Sequence, residues 1–504
     1  MRKYILLLLF IALNIDSTAQ PTHWYFGKEA GIIFNNVSVV ADTSGKLRSI
    51  EASACIDFSD GTFIYTNGYR CWDNNHQLIT NSDSIFKFLM TTNYLPIYYG
   101  NTSVNGCKLL PFNDFVYVLV DNQYGGSALD LGIYAYKIYR NNQAFHISVE
   151  SIRQLINHNN IHTIESLAAC KHANGRDYWL VSHLVDSTNT FIKFLVAPDT
   201  IYSMPNQKIG SIEYYLNSEL SGQTLFNQSG TKLYMSHWNG LIDVFDFNRC
   251  TGELKNFVNI KPGTFNPGFY NKERVYGMSV SPDGSKIYAS GWKWLIQYSI
   301  DTNTNQLLSQ DTIWNNPYFP SYNFCDNNNC VVPLQHQLAP NGKIYIANGT
   351  AIIDQPSNND TIQTYLSVIN NPNAQGSACN FQPYAVSLLG RKSWACLPNN
   401  PNYNLGPLAG SPCDTLTTSN ELKPNKNIVR VYPNPASDYI TLFVPRLTKA
   451  WQFALYDIQG REVLHVNSRG AFRSINISHL AQGMYLWKLV YEDGKVENGK
   501  MVKQ

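Results

Sequence analysis

The stretch "MSVSPDGSKIYASGW", residues 278–292, predicts a β-hairpin, because two alternating apolar runs flank a Pro-Asp-Gly turn. Asp283-Gly284 is a dipeptide that readily takes the positive φ of a tight hairpin. A third alternating run, "WLIQYSIDTNTNQL", follows at 294–307. Together these runs predict one antiparallel sheet of at least three strands.

The same unit occurs five more times along the chain. Its other turns lie at Asp60-Gly61, Asn113-Asp114, Asn174-Gly175, Ser229-Gly230 and Asn341-Gly342. Successive turns are 53, 61, 55, 54 and 58 residues apart. A steady period with three or four strands per unit is typical of propeller blades, whereas solenoid repeats are usually shorter. We therefore predict an all-β fold with a seven-bladed β-propeller, six and eight blades being the alternatives.

The seventh blade is predicted from the two ends of the repeat region. Residues 379–399 would supply its inner strand, and residues 23–42 would supply its outer strands. Joining the first and last strands in one blade closes the ring and removes open sheet edges.

The first residues have the pattern of an export signal. Arg2 and Lys3 precede an apolar run, and Ser17-Thr18-Ala19 provides small residues for cleavage, so residues 1–19 are predicted to be a signal peptide. The alternative, a transmembrane anchor, requires a run long enough to cross about 30 Å of hydrocarbon, and this run is shorter. The net charge of +2 gives no electrostatic footprint for nucleic acid.

Ten cysteines in an exported chain permit disulfides. Cys325 and Cys330 bracket a short loop, and Cys396 and Cys413 would tie the last propeller strand to the segment that follows. Spacing alone does not fix these pairings. Zinc would require paired CxxC motifs or a histidine cluster, and the sequence has neither, so we expect no metal and no cofactor.

The composition changes near residue 400. Residues 20–400 are assigned to the propeller, and residues 401–427, rich in Pro, Asn, Gly, Ser and Thr, to a linker. Residues 428–504 return to alternating strands with Gly, Asn and Asp turns, which predicts a small Ig-like β-sandwich.

Three charged residues share one phase of the repeat. Glu51, Glu165 and Arg274 each lie nine residues before a turn, which places them near one mouth of the central channel. Paired carboxylates could act as acid and base on a glycosidic bond. A salt-bridged or solvated rim is the simpler interpretation and the one we favour, so the chain is expected to be non-enzymatic.

Aromatic residues at loop tips are candidate ligand contacts. Trp72, Trp238 and Trp292 could stack on sugar rings. The alternative is that they pack between blades.

Several motifs of the repeat region match one family. The pieces "WYFGKEAGIIFN" (24–35), "LAPNGKIYIA" (338–347) and "YLSVINNPNAQGSACNF" (365–381) occur in this order. They resemble a family of exported β-propeller proteins of Bacteroidota over roughly residues 23–400. This resemblance implies the propeller fold and transfers no catalytic residues.

The tail resembles the type A C-terminal sorting domain of the type IX secretion system. The matching residues are Pro433, Asn434, Pro435, Gly460, Gly483, Lys500 and Lys503. The resemblance implies two partners, the type IX secretion machinery and a sortase-like peptidase that removes the tail. The alternative is an ordinary Ig-like binding module.

These observations give one expected function and two alternatives. We expect a secreted or cell-surface propeller that binds a glycan or a surface protein, with no transmembrane anchor and no nucleic-acid partner. The alternatives are a propeller-type carbohydrate-active enzyme that uses Glu51 and Glu165, and a structural component of the surface or motility machinery.

Overall fold

The computed structural model describes residues 21–504 apart from several gaps. The gaps, with the N-terminus, are 1–20, 36–37, 90–102, 123–131, 142–143, 158–162, 166, 186–187, 214–221, 239, 262–273, 292–293, 316–331, 350–360, 415–428, 433, 445–449, 470–471 and 495. The predicted signal peptide 1–19 and the candidates Trp292, Cys325, Cys330 and Pro433 therefore lie outside the described residues. Two compact units, Met1–Thr417 and Thr418–Gln504, are described separately below.

In the first unit the described strands form seven antiparallel sheets in chain order. Sheet 1 contains β1 (His23–Phe26), β2 (Ala30–Phe34) and β3 (Val39–Asp42), and sheet 2 contains β4 (Ala54–Asp57), β5 (Phe63–Thr66) and β6 (Cys71–Asp73), followed by helix α1 (Ser82–Leu89). Sheet 3 contains β7 (Cys107–Pro111), β8 (Phe115–Asn122), β9 (Gly132–Asn141) and β10 (Ala144–Asn157), and sheet 4 contains β11 (Ala168–Lys171), β12 (Tyr178–His183), β13 (Thr188–Val196) and β14 (Ile201–Glu213).

Sheets 5 to 7 have the same four-stranded plan. Sheet 5 contains β15 (Thr224–Phe226), β16 (Lys232–Ser236), β17 (Ile242–Phe247) and β18 (Leu254–Lys261), and sheet 6 contains β19 (Gly277–Val280), β20 (Lys286–Gly291), β21 (Trp294–Ile300) and β22 (Leu307–Asn315). Sheet 7 contains β23 (Val332–Leu338), β24 (Ile344–Gly349), β25 (Tyr365–Ile369) and β26 (Phe381–Ser387), with 3₁₀ helices at Ile362–Thr364 and Gly376–Cys379.

The Pro-Asp-Gly turn forms the predicted hairpin in sheet 6. Val280 pairs with Ile287 across the turn, and Gly284 has φ 76°, a conformation that side chains with a Cβ rarely adopt. Asp283 Oδ1 accepts hydrogen bonds from Ser281 Oγ (2.6 Å) and from the Ser285 amide (3.0 Å). These local bonds satisfy polar groups that the turn would otherwise leave unpaired.

Buried side chains link each sheet to the next and sheet 7 back to sheet 1. At the last junction the Trp24 ring lies 5.9 Å from Tyr345, and the Phe34 ring lies 5.3 Å from Tyr345, both edge-on. Each junction between sheets is formed by a cluster of buried hydrophobic side chains. These clusters join sheet 1 to sheet 2, sheets 2, 3 and 4 to one another, sheet 4 to sheet 5, sheet 5 to sheet 6, sheet 6 to sheet 7, and sheet 7 to sheet 1. The predicted all-β class is confirmed, and this cyclic packing is propeller-like.

The predicted closure of the ring by one shared blade is wrong. Residues 23–42 form sheet 1 alone, and residues 381–387 are the outer strand of sheet 7, paired with β25. In the described residues the β-bridge between the two ends is an isolated one that joins Lys28 and Lys392, and Arg391 also forms an ion pair with Glu29. Sheet 1 has its own third strand, so aromatic packing against sheet 7 closes the ring instead of a strand pair.

The segment predicted as a linker differs over residues 401–414, which pack on the first unit. Tyr403 is 2% exposed and donates its hydroxyl to the Leu109 carbonyl at 2.8 Å. The Leu408 amide donates to the Ala173 carbonyl at 2.8 Å. Polar composition here therefore marks a bound irregular segment, whose backbone groups bond to the sheets.

A disulfide fixes the end of this segment to sheet 5. Cys413 bonds to Cys250, with 5.6 Å between the Cα atoms. The predicted pairing of Cys413 with Cys396 is wrong, because Cys396 is fully buried and bonds through Sγ to Ser53 Oγ at 3.3 Å. The described free cysteines, all buried, are Cys55, Cys71, Cys107, Cys170, Cys379 and Cys396.

Replacing Cys413 with serine is expected to lower the free energy of unfolding by about 3 kcal/mol, because the bond closes a long loop of 163 residues. Denaturant titration with and without reductant measures this. Reductant should destabilise the wild type and leave Cys413→Ser unchanged, and Cys379→Ser serves as the buried-thiol control. Equal sensitivity of the wild type and Cys413→Ser to reductant would contradict the assignment.

The second unit consists of two sheets around one core. The first sheet contains β27 (Arg430–Tyr432), β28 (Tyr439–Phe443) and β31 (Phe472–Asn476), and the second contains β29 (Ala450–Tyr456), β30 (Glu462–Arg469), β32 (Gly483–Tyr491) and β33 (Val496–Lys503). Ile440 and Leu442 of the first sheet are buried in one cluster with Phe453 and Trp487 of the second. The unit is thus an all-β module with a core of its own.

Candidate functional site

The centre of the first unit is occupied by the chain that leaves sheet 7. We call residues 393–403 the channel segment. The Leu397 amide donates to Gln335 Oε1 at 3.0 Å, and the Asn399 amide donates to the Ser53 carbonyl at 2.8 Å. Asn399 Nδ2 donates to the Asn105 carbonyl at 2.9 Å. The segment therefore contacts the inner edges of sheets 2, 3 and 7 and fills the space between them.

A small cavity remains beside the channel segment. Its volume is about 60 Å³, far below the roughly 300–1,000 Å³ of typical small-molecule sites. Its polar lining includes Asn105, Lys108, Gln223, His336 and Asn400. The cavity has room for a few water-sized groups and not for a sugar ring.

The charged residues predicted at the channel mouth do come together, around a tyrosine. Tyr276 donates its hydroxyl to Glu51 Oε1, and the Tyr276 ring packs edge-on against Trp238 at 5.8 Å. The Arg274 guanidinium lies over the Trp238 ring, 4.8 Å from its centroid. Glu165 is close enough to act on Tyr276 electrostatically. We call Glu51, Glu165, Trp238, Arg274 and Tyr276 the rim cluster.

Electrostatics in the rim cluster keep the tyrosine protonated. Burial, then the Glu51 carboxylate and then Glu165 raise the pKa of Tyr276 well above its usual value. Glu51 and Glu165 are each 7% exposed. A neutral phenol that donates to a buried carboxylate is a strong cross-link. The cluster therefore links residues next to sheets 2, 5 and 6 across the channel mouth.

Replacing Tyr276 with phenylalanine is expected to cost about 1–3 kcal/mol of stability, because it removes the hydrogen bond that the Tyr276 hydroxyl donates to the buried Glu51 carboxylate. Urea titration measures the loss. The same change in a Glu51→Gln background should cost less, since the two groups are coupled. The control Tyr202→Phe alters an exposed tyrosine and should stay near the wild type. Additive losses in the double variant would contradict the cross-link.

The other aromatic candidates lie elsewhere. Trp72 is 6% exposed and stacks on Tyr65 at 5.5 Å, inside the contact between sheets 1 and 2. Trp238 is 8% exposed in the rim cluster. Both positions match the packing alternative better than an open stacking platform.

Sequence reasoning missed several buried polar residues of the channel. Tyr276 carries no charge, so a criterion based on charged residues at one phase of the repeat does not select it. Gln223 and Gln335 lie six residues before their turns, and Lys108 and His336 lie five before theirs. A search for polar residues in these two phases, on the innermost strands, would have found all four.

Several sorting residues of the second unit, Asn434, Lys500 and Lys503, lie on or next to its last strand. Asn434 Oδ1 accepts a hydrogen bond from the Val502 amide at 2.9 Å, and Asn434 Nδ2 donates to the Lys500 carbonyl at 3.1 Å. The Ala436 amide donates to the Val502 carbonyl at 2.8 Å. The Asn-Pro stretch, whose Asn434-Pro435 bond is cis, is therefore joined to β33.

The two sorting glycines mark the ends of strands. Gly460 has φ 80° in the turn between β29 and β30, where the Gly460 amide donates to the Asp457 carbonyl at 3.0 Å. Gly483 begins β32 and pairs with Lys503. Lys500 is exposed, whereas Lys503 is 8% exposed and donates through Nζ to the Gln504 carbonyl at 2.6 Å.

This all-β tail, in which Asn434, Gly483, Lys500 and Lys503 lie on or beside the final strand, is an export-sorting module. Residues 430–504 match the family described as the secretion system C-terminal sorting domain. The tail is thus the sorting domain of the type IX secretion system, and it directs the protein to the cell surface or outer membrane through that machinery.

A comparison with curated proteins gives no significant match. Among solved structures, a putative 6-phosphogluconolactonase from Bacteroides fragilis is 12% identical, with 76% of this chain and 98% of that chain covered and a TM-score of 0.42. Another from Bacteroides uniformis is 12% identical, with 65% and 89% covered and a TM-score of 0.38. A protein of unknown function from Desulfotomaculum acetoxidans is 11% identical, with 75% and 98% covered and a TM-score of 0.42. Similarities of this size carry no argument about activity.

The described residues contain neither a candidate membrane-spanning helix nor a candidate metal-binding group. No helix there has the length and apolar character needed to cross a bilayer. No group of three or more His, Cys, Asp or Glu side chains there is arranged to hold a metal ion.

Proposed function

We propose that the chain is a secreted or surface-exposed, seven-bladed β-propeller that binds a glycan or a surface protein without catalysis. The observation that carries the non-catalytic interpretation is the channel segment, which fills the place where propellers usually hold small ligands. The seven described sheets and their cyclic packing support the blade number. The Ig-like assignment of the tail rests on its two-sheet core.

Delivery and binding belong to different units in this proposal. The second unit carries the sorting motifs, and a sortase-like peptidase removes it after export. The first unit is a compact body without the tail, which suits a module that acts after the tail is cleaved.

Deletion of residues 428–504 is expected to leave the protein folded in the periplasm. Cell fractionation and immunoblotting measure its distribution. Asn434→Ala, which removes both hydrogen bonds to β33, should reduce surface delivery, whereas Asn467→Ala, at an exposed position of β30, should not. Normal surface delivery of the deletion variant would contradict the sorting role of the tail.

Binding is tested with residues 20–417, which keep the channel segment and the Cys250–Cys413 disulfide. The fragment is applied to a glycan array and, in parallel, to intact bacterial cells. Retention on defined glycans supports glycan recognition, and retention on cells that protease treatment abolishes supports a protein partner. Release of new reducing ends from a glycan, lost in Glu51→Gln, would instead establish the carbohydrate-active enzyme.

A further inference from the structure

Several hydrogen-bond donors that line the cavity beside the channel segment have no acceptor among the described residues. Lys108 is 2% exposed, and its ammonium group donates to the Asn399 carbonyl at 3.1 Å. An ammonium has three donors, so two of them point to no acceptor among the described residues. None of the described residues that line the cavity is an aspartate or a glutamate. A charged Lys108 is therefore buried with no counter-charge among the described residues that line the cavity.

Two amide groups add further donors to the same cavity. Asn105 Oδ1 accepts from Gln223 Nε2 at 3.4 Å, which fixes the side-chain orientation and leaves Asn105 Nδ2 without a partner among the described residues. Asn400 Oδ1 accepts from the Cys55 amide at 2.9 Å, and Asn400 Nδ2 likewise has no partner in the part of the chain that the structure describes. Asn105 is 1% exposed. Buried donors without acceptors are costly, so an acceptor is needed in the cavity.

We propose that this cavity is a binding site for one small monovalent anion, of the size of chloride, bromide or formate, held by Lys108 Nζ, Asn105 Nδ2 and Asn400 Nδ2. A water molecule would accept two of these bonds and would still have to donate two of its own. An anion only accepts, and it also neutralises the ammonium. The volume of about 60 Å³ admits an ion of this size and excludes phosphate esters and sugars.

The state of Lys108 supports the same assignment. Burial lowers the pKa of Lys108 to about 7, because desolvation disfavours the charged ammonium. A bound anion would restore the charged form. The site joins the channel segment to β7 and would hold that segment in place, so the ion is a structural ligand and not a substrate.

Bromide tests the assignment directly. The full-length protein, refolded with sodium bromide, is crystallised and examined at the bromine absorption edge. An anomalous peak in the cavity within hydrogen-bond distance of Lys108 Nζ is the expected result. Density for water alone at this place, with no anomalous signal, would overturn the proposal.

A solution measurement on the full-length protein separates the site from general salt effects. At constant ionic strength with gluconate as the balancing anion, the Tm should rise by about 1–3 °C for each tenfold increase in chloride above the dissociation constant. Lys108→Met should abolish most of this rise. Lys343→Met, which removes an ammonium that donates to Asn370 away from the cavity, should keep it. Equal chloride dependence in all three proteins would show binding elsewhere and reject the site.

Discussion

A chain that ends at Lys392 is expected to be unfolded, whereas a chain that ends at Thr417 keeps the fold of the first unit. The two chains differ by the channel segment and by the residues that follow it, which include Cys413 of the disulfide. Trp394, Leu397 and Tyr403 are each at most 5% exposed. Burial of such side chains contributes roughly 1.5–3 kcal/mol each, and their sum is comparable to the stability of a whole domain, about 5–15 kcal/mol.

Circular dichroism and thermal melts of the two truncated chains measure this effect. The chain ending at Thr417 with Cys413→Ser separates the disulfide from the packing, and it should melt cooperatively at a lower temperature. A cooperative melt of the chain ending at Lys392, near that of the longer chain, would show that the channel segment is dispensable. The sheets alone would then close the ring.

The sequence predicts the hairpins well because their determinants are local. Asp283 and Gly284 fix the turn in sheet 6 through a positive φ and bonds from adjacent serines. The linker predicted from residue 401 includes the end of the channel segment, because Asn, Pro and Gly are equally common in exposed loops. Its backbone bonds go to side chains such as Gln335, which no local pattern indicates.

The rim cluster shows the same limit for the candidate site. The phase of the repeat placed Glu51, Glu165 and Arg274 at one height along the channel, and the structure gathers them there. Phase gives no information about which side chains meet across the channel, so Tyr276, the residue that joins them, was missed. In the structure one of the two candidate carboxylates, Glu51, accepts a hydrogen bond from the buried Tyr276 hydroxyl.

The channel also contains a histidine that should control acid stability. His336 is 2% exposed, with Nε2 2.9 Å from Ser290 Oγ and Nδ1 3.2 Å from Ser279 Oγ. Burial lowers the pKa of His336 to about 3. The unfolded chain therefore takes up this proton more readily than the folded chain does.

The contribution of His336 to stability is present in full above about pH 6.5 and is lost as the pH falls towards 3, by about 5 kcal/mol in total. Urea titrations of the full-length protein between pH 7 and pH 4 measure the slope. His336→Gln, which keeps a polar group between the two serines without a titrating ring, should flatten the acid limb. The exposed His146→Gln should retain it. Parallel stability curves for the wild type and His336→Gln would show that protonation of His336 does not cause the loss of stability at low pH. Other buried groups would then have to account for that loss.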